Sequence, residues 1–253
     1  MKENAVTVTE ESVICGFHAV EAVLTKEPRA IRRILVISER RDQRMQSLVQ
    51  RARELGVRVD SADRRVVTRI AGDKAHQGIV AECHAVLPST ELDFEARWST
   101  FTQPLILVVD GVTDPRNLGA CMRSAGAADV DAVLIPKRSN APLSNVVRKT
   151  ASGALEDLLI VQVSNLARRL DWLRERGVWI VGTDVESIHA YTDVDYRDPV
   201  AIVVGGEQRG LRHLTREKCD HLVTIPMRGP VSSLNVSVAT GILLFECLRQ
   251  RGT

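Results

Sequence analysis

The sequence predicts an α/β protein in two parts, a small mixed α/β domain followed by a larger one built on a parallel sheet. Three observations predict it. From Leu105 onward, near-continuous apolar runs alternate with helical stretches, the pattern of a sheet covered on both faces. Before residue 87 the elements are shorter and alternate more quickly. Between the two lies "LPSTELDFEARWSTFTQP" (87–104), polar, with Pro near both ends and no sustained period, which reads as a linker. The expected division is therefore 1–86, linker 87–104, and 105–253. A chain of 253 residues is long enough for two such domains.

In the first part, "GFHAVEAVL" (16–24) has helical spacing, with Phe17, Val20, Val23 and Leu24 facing inward. "RILVI" (33–37) is a buried strand, and "MQSLVQRAREL" (45–55) a helix closed by Gly56. "VRV" (57–59) is a short strand, "RRVVTRIAG" (64–72) a helix with a Gly stop, and "GIVAECHAV" (78–86) the last strand. In the second part, strands are expected at 105–110, 132–136, 158–163, 178–184, 200–206 and 222–227. Helices are expected at 117–128, 144–153, 165–176, 212–218 and 234–250. Asp114 is placed as an N-cap and Pro115 as the first helical residue. The helix after them is unusual in being rich in small residues, Gly119, Ala120, Ser124, Ala125 and Ala127. Such a surface admits the close approach of another backbone, from within the chain or from a second copy.

Composition removes several function classes. No apolar run is long enough to span a bilayer, and "MKENAVTVTEES" lacks the apolar core of an export signal, so a cytoplasmic protein is expected. The 5 cysteines are scattered without a Cys-x-x-Cys pair, which argues against a zinc ribbon and a disulfide framework; no metal is expected. The net charge of +2 hides an asymmetry: residues 26–69 carry 13 Lys/Arg against 6 Asp/Glu. A polyanionic partner or simply solvated helix faces both account for this excess. If the partner is RNA, the arginines at 29–44 (Arg29, Arg32, Arg33, Arg40, Arg41 and Arg44) are the candidates for phosphate contact.

In open parallel sheets, ligands sit beyond the C-terminal strand ends. Three loops there share one composition: "DGVTDPRNLGACMRSA" (110–125), "GGEQRG" (205–210) and "IPMRGPVSSLNVSVATG" (225–241). All are rich in residues that expose backbone groups. A dinucleotide fold would need G-x-G-x-x-G directly after the first strand, where only Asp110-Gly111 stands, and there is no Walker A motif.

The three loops, in this order, resemble the signature motifs of the SpoU/TrmH-type RNA ribose 2′-O-methyltransferases of the SPOUT superfamily. The residues that carry the resemblance are Asp110-x-x-x-Asp114-Pro115-x-Asn117-x-Gly119-Ala120-x-x-Arg123-Ser124, then Gly206-Glu207-x-x-Gly210, then Ile225-Pro226-Met227 followed by Ser233-Leu234-Asn235-Val236-Ser237. Gln208 and Arg209 depart from the small or acidic residues common in the second motif. "GFHAVEAVL" and "HQGIVA" (76–81) are similar to the family's substrate-binding domain, so the resemblance covers nearly the whole chain. It is strongest to members that act on a guanosine in the peptidyl-transferase P-site loop of 23S rRNA. The resemblance implies an L30e-like first domain, a deep trefoil knot in the second, S-adenosylmethionine as cofactor, 23S rRNA as partner and a homodimer through the C-terminal domain. A tRNA or other-site rRNA methyltransferase, and a non-catalytic RNA-binding assembly factor, are the alternatives.

The resemblance also implies roles. Arg123 is the family's catalytic residue; a guanidinium, with a pKa above ~12, suits a phosphate clamp and oxygen stabiliser better than a base. Asn117, Ser233 and Asn235 would orient ribose, phosphate and Arg123, with Glu207 holding them. Thr183, Gly205, Gly206, Ile225, Met227 and Leu234 would contact the cofactor. Six residues separate Asn117 from Arg123, about 120° around a helix, so the two do not share a stripe. Read alone, Asp110 ends its strand, His18 is a half-buried helix residue, His76 and Gln77 are loop residues, and Trp172 and Trp179 belong to the core.

Overall fold

The computed structural model describes residues 13–38, 42–84 and 87–252. It divides into two compact units, Met1–Val86 and Leu87–Thr253.

In the first unit the order is β1 (Val13–Cys15), α1 (Phe17–Lys26), β2 (Ile31–Ile37), α2 (Gln43–Glu54), β3 (Val59–Ala62), α3 (Arg64–Ala71) and β4 (Ile79–Cys83). The strands lie in the order β1-β4-β2-β3, with β2 and β3 parallel and the other pairs antiparallel. Alternation along β2 sends Ile34 and Val36 to a core with Phe17, Val20, Met45 and Leu48, while Leu35 and Ile37 meet Val67 and Ala71 of α3. Helices thus cover both faces. The Asp42 side chain caps α2 by accepting from Met45 N (3.0 Å), and that of Asp63 caps α3 by accepting from Arg65 N (2.7 Å).

β2 carries a bulge between Ile31 and Arg33, and the consecutive Arg32 and Arg33 both reach the buried Glu82 of β4. Arg33 binds it with Nε at 2.7 Å and Nη2 at 3.0 Å. Burial raises the Glu82 pKa, but the Arg33 and Arg32 bonds outweigh it and hold the carboxyl below its ordinary value. Arg32 and Arg33, two of the candidates for phosphate contact, thus both bind Glu82, because a buried carboxylate requires compensation. Arg44 packs over the Phe17 ring at 4.0 Å, beside Glu21, and Arg29 is exposed. Arg40 and Arg41 lie outside the described residues. His18 is exposed, not half-buried. His76 and Gln77 bind their surroundings: Gly78 N donates to His76 Nδ1, and Phe17 N at the start of α1 donates to Gln77 Oε1.

The second unit holds α4 (Glu91–Arg97), β5 (Leu105–Asp110), α5 (Pro115–Ala127), β6 (Ala132–Pro136), α6 (Asn145–Ala151), α7 (Ala154–Asp157), β7 (Ile160–Val163), α8 (Leu166–Arg174), β8 (Trp179–Thr183), β9 (Val200–Gly205), α9 (His213–Glu217), β10 (His221–Val223) and α10 (Val236–Arg251). Its strands run parallel in the order β10-β8-β9-β5-β6-β7. β5 and β9 are buried along their whole length. The direction of winding reverses beside β5, so a crevice opens at its C-terminal end.

Three expectations fail. The stretch 87–104 is not a linker. Thr90 and Asp93 form a capping box for α4, whose Phe94 is fully buried among Ile106, Leu134 and Leu170. Trp98 and Trp172 meet edge to face at 5.0 Å beside it, and Arg169 binds Glu91. A helix of one turn or two with a single apolar anchor shows no period, which is why the sequence hides it. The predicted helix at 144–153 breaks at Ser152 and Gly153, both with positive φ, into α6 and α7. Trp179 is 46% exposed and stacks on His221 rather than joining the core.

The small residues of α5 are consumed largely within the chain. A Cβ at Gly119 would lie 2.7 Å from Val147 O and Thr150 Cβ of α6, one at Gly126 would lie 2.7 Å from Ala154 Cβ of α7, and Ser124 faces Gly241 of α10. Gly119→Ala should therefore lower stability by about 1–3 kcal/mol through overpacking, although an open helical site would gain up to about 1 kcal/mol from the same change. A denaturation midpoint equal to or above the parent's would disprove this packing. Glu82→Gln should cost about 2 kcal/mol at neutral pH by leaving two guanidiniums without their carboxylate. Since the Glu82 pKa is depressed in the folded state, its contribution is present above the unfolded value and lost as pH falls through the folded one. The gap to the parent should close in acid; a gap that stays constant or widens there would refute the ion-pair account.

Candidate active site

β5 delivers Asp110 to the crevice with its side chain fully buried. A buried carboxylate needs a cation and hydrogen bonds. Arg212, just before α9, supplies them: its Nε donates at 2.6 Å, its Nη2 forms a close ion pair, and its backbone N donates at 3.3 Å. The Asp110 carbonyl accepts from Gly206 N at 3.0 Å. One residue on, Gly111 N donates to Asn140 Oδ1 (2.6 Å), while Asn140 Nδ2 donates to the Val109 carbonyl (2.8 Å). The ends of β5, β6 and β9 are thereby tied together. A Cβ at Gly206 would collide with the Gly111 carbonyl, and one at Gly205 with the Gly210 backbone, so both positions need glycine for close approach.

On this base three loops converge. Asn117, in the first turn of α5, donates from Nδ2 to Glu207 Oε1 at 2.7 Å. Asn235, the N-cap of α10, donates from Nδ2 to Asn117 Oδ1 at 3.0 Å. Asn235 Oδ1 accepts from Ser237 N at 2.9 Å and from Ser237 Oγ at 2.6 Å. The chain of bonds has a fixed direction, because its two ends are unambiguous. A carboxylate only accepts and a backbone N–H only donates, so both amide orientations follow. Each amide nitrogen keeps a second hydrogen for a ligand.

The structure thus brings together Asn117, Glu207 and Asn235, from loops 90 and 118 residues apart in sequence. It does not bring Arg123 or Ser233 to them. Arg123 is exposed on α5, and its guanidinium has no hydrogen bond or ion pair among the described residues; Ser233 is exposed two residues before Asn235. Arg212 and Asn140 escaped the sequence reading, which gave Asp110 and Ser237 a place in the motifs but no role at the site. A charged residue ending a wholly apolar strand signals Asp110, and Asn-x-Ser before a helix signals the cap that includes Ser237. Nothing in the sequence pairs Arg212 with Asp110.

Beyond β8, β9 and β10 lies a second, more apolar region. Thr183, at the end of β8, donates to the Val203 carbonyl at 3.3 Å. Ile225 and Met227 are half-buried, and Leu234 is 36% exposed. The backbone N–H and C=O groups of Ile225 and Met227 make no hydrogen bond among the described residues. Unused backbone donors and acceptors beside apolar side chains suit a heteroaromatic ring. Among the described residues, no group of three His, Cys, Asp or Glu side chains could hold a metal ion, and no helix is long and apolar enough to cross a membrane.

Residues 104–245 match the model of the SpoU rRNA Methylase family, and residues 13–88 that of the RNA 2′-O ribose methyltransferase substrate-binding domain. The chain is 48% identical over 242 residues to the 23S rRNA (guanosine-2′-O-)-methyltransferase RlmB of Coxiella burnetii, covering 94% of this chain and 95% of that one. It is 44% identical over 240 residues to its namesake in Pectobacterium atrosepticum, covering 95% and 98%. Among solved structures, the SpoU methyltransferase AviRb of Streptomyces viridochromogenes, in complex with AdoMet, superposes with a TM-score of 0.72 at 26% identity, covering 95% of this chain and 90% of that one.

The directed bond chain makes a specific prediction. Asn117→Asp would set a second carboxylate against Glu207, and one of the two would then titrate above the ordinary carboxylate range. A folded-state pKa raised in this way lends stability only below the unfolded value, about 4 for such groups, and loses it as pH rises. The deficit of Asn117→Asp should therefore open between acid and neutral pH, while that of Asn117→Ala stays level. Chemical unfolding across that range checks it, and parallel profiles for the two variants would count against the contact.

Proposed function

The chain belongs to the SpoU rRNA Methylase family, and from that premise we propose that it transfers a methyl group from S-adenosylmethionine to the ribose 2′-oxygen of a guanosine in the P-site loop of 23S rRNA. The observation that carries the chemistry is the bond chain from Ser237 through Asn235 and Asn117 to Glu207, which holds two amides in one orientation beside a strand-end crevice. The first unit, matched to the family's substrate-binding domain, takes the RNA.

The reaction needs alignment of the hydroxyl, removal of its proton and stabilisation of charge on the oxygen. The sulfonium of the donor supplies an already activated methyl group. Thr183, Gly205, Gly206, Ile225, Met227 and Leu234 hold the donor, with Ile225 and Met227 offering an apolar bed and free backbone groups to its adenine. Asn117 and Asn235 spend their remaining amide hydrogens on ribose or phosphate oxygens, and Ser233 adds a hydroxyl at the same rim. Glu207 acts through Asn117 as a positioning residue. Arg123 clamps phosphate and steadies the developing charge on the 2′-oxygen.

An exposed, unpaired Arg123 supports a site shared between two copies of the chain. It immediately precedes Ser124, which packs on α10 at Gly241. On α10, Val238 and Phe245 are half exposed, and seven residues apart they share one helix face. That apolar face suits a homodimer in which each copy lends its arginine to the other's ribose. We further read the second unit as knotted and the first as L30e-like, and place the protein in the cytoplasm, where 23S rRNA is.

The test is methyl transfer from labelled S-adenosylmethionine to protein-free 23S rRNA, 16S rRNA and tRNA, with the nucleotide mapped. The expected product is 2′-O-methylguanosine in the P-site loop of 23S rRNA. Label on tRNA or at another rRNA site would overturn the substrate, and cofactor binding without transfer to any RNA would overturn the activity. Arg123→Ala should abolish transfer while cofactor affinity is kept; near-normal turnover would remove Arg123 from the chemistry.

A further inference from the structure

Many cations of the second unit are held in ion pairs: Arg169 with Glu91, Arg174 with Asp220, Arg216 with Asp184, Lys218 with Asp171 and Arg249 with Glu246. Around the strand-end crevice, Arg116, Lys137, Arg138 and Arg209 are exposed and have no side-chain ion pair or hydrogen bond among the described residues. Arg212, bound to Asp110, is the exception there.

Lys137 and Arg138 are adjacent on one loop, and that loop is held at both ends. Lys137 N donates to the Val163 carbonyl of β7 at 2.8 Å, and Ala141 N to the Val112 carbonyl at 2.8 Å. Asn140 bridges both sides of Asp110 through Val109 O and Gly111 N. Ser139 takes φ of +85°, unusual for a residue with a side chain, and its Oγ accepts from Arg212 Nη1 at 3.3 Å. A short loop is thus bound at both ends and strained in the middle, yet it presents adjacent cations to solvent, neither of them in an ion pair among the described residues. Exposed long side chains gain little from being so placed unless an anion meets them there, since preorganisation lowers the ordering cost of that encounter.

We propose that the Lys137–Arg138 loop is a phosphate-backbone contact for the RNA substrate, carrying the strand that flanks the target nucleotide across the β6 end of the sheet. The inference rests on the RNA substrate read above and adds a surface to it. The donor-binding residues lie on the other side of β5, at β8, β9 and β10, so the loop stands clear of the cofactor. Two like charges on one rigid loop fit a polyanion of repeating charge, and they read no sequence.

The experiment measures equilibrium binding of the full chain to a protein-free 23S rRNA transcript across a salt series, and methyl transfer to the same RNA. For Lys137→Ala/Arg138→Ala, the slope of log affinity against log salt should flatten by about 0.7–0.9 for each phosphate that the protein no longer neutralises. The KM for RNA should rise about tenfold while kcat and S-adenosylmethionine affinity change less than about twofold, the cofactor affinity also reporting an intact fold. Arg138→Glu should weaken binding further. Lys137→Arg should keep the parent slope, as should Arg168→Ala, which removes an exposed cation on α8. A double variant that binds cofactor normally and keeps the parent slope and KM would overturn the proposal. A parent that methylates no RNA would instead overturn the function read above, and the binding slopes would still decide the loop.

Discussion

The buried carboxylate of Asp110 is the constraint on which the rest of the site depends. It ends the central strand of the parallel sheet, out of reach of water, where an uncompensated charge would cost several kcal/mol, roughly the whole margin of a folded domain. Arg212 neutralises it, and in doing so fixes where the chain goes after β9. The Asp110 carbonyl accepts from Gly206 N, and Asn140 fastens the residues on either side of Asp110. Three strand ends are locked to one another before any catalytic side chain is considered.

What stands on that base is positioned by backbone closeness and by hydrogen-bond direction. Gly205 and Gly206 let the β9 loop lie against the loops beside it, which carries Glu207 to Asn117. The N-cap of α10 then does two jobs. Asn235 satisfies the helix start through its carbonyl oxygen and turns its amide toward Asn117. Because one end is a carboxylate and the other a backbone N–H, neither amide can flip without losing a bond. An enzyme that must place a weak nucleophile in line with a methyl group gains most from this kind of rigidity. The same loops leave outer cations unpaired, so exposed positive charge lies around a directional centre that ends on the Glu207 carboxylate.

The legible parts of the sequence were those in which a local pattern decides the structure. Stretches such as 105–109 and 200–205 are apolar throughout because both faces are covered, and helices such as α5 announce themselves by Asp114 and Pro115. Asn117, Glu207 and Asn235 were legible as parts of three ordered motifs. Other features were hidden. α4 was mistaken for a linker because one buried Phe94 makes no periodicity. Arg32 and Arg33 read as a basic patch because a β-bulge, invisible in composition, turns both toward Glu82. Trp179 read as core, but its place at the start of β8 leaves it half exposed.

The sequence by itself determined the α/β class, the all-parallel character of the second sheet and the membership of the three crevice loops, since burial of apolar runs and helix-start chemistry act over a few residues. Only the tertiary structure decided the pairing of Arg212 with Asp110, the direction of the bonds from Ser237 to Glu207, and which arginines are free. Those depend on groups far apart in the chain meeting within about 3 Å. The physical reason is that charge compensation and hydrogen-bond polarity are properties of contacts. Any acid in the sequence is a possible partner for any arginine until folding brings one pair together and keeps the others apart.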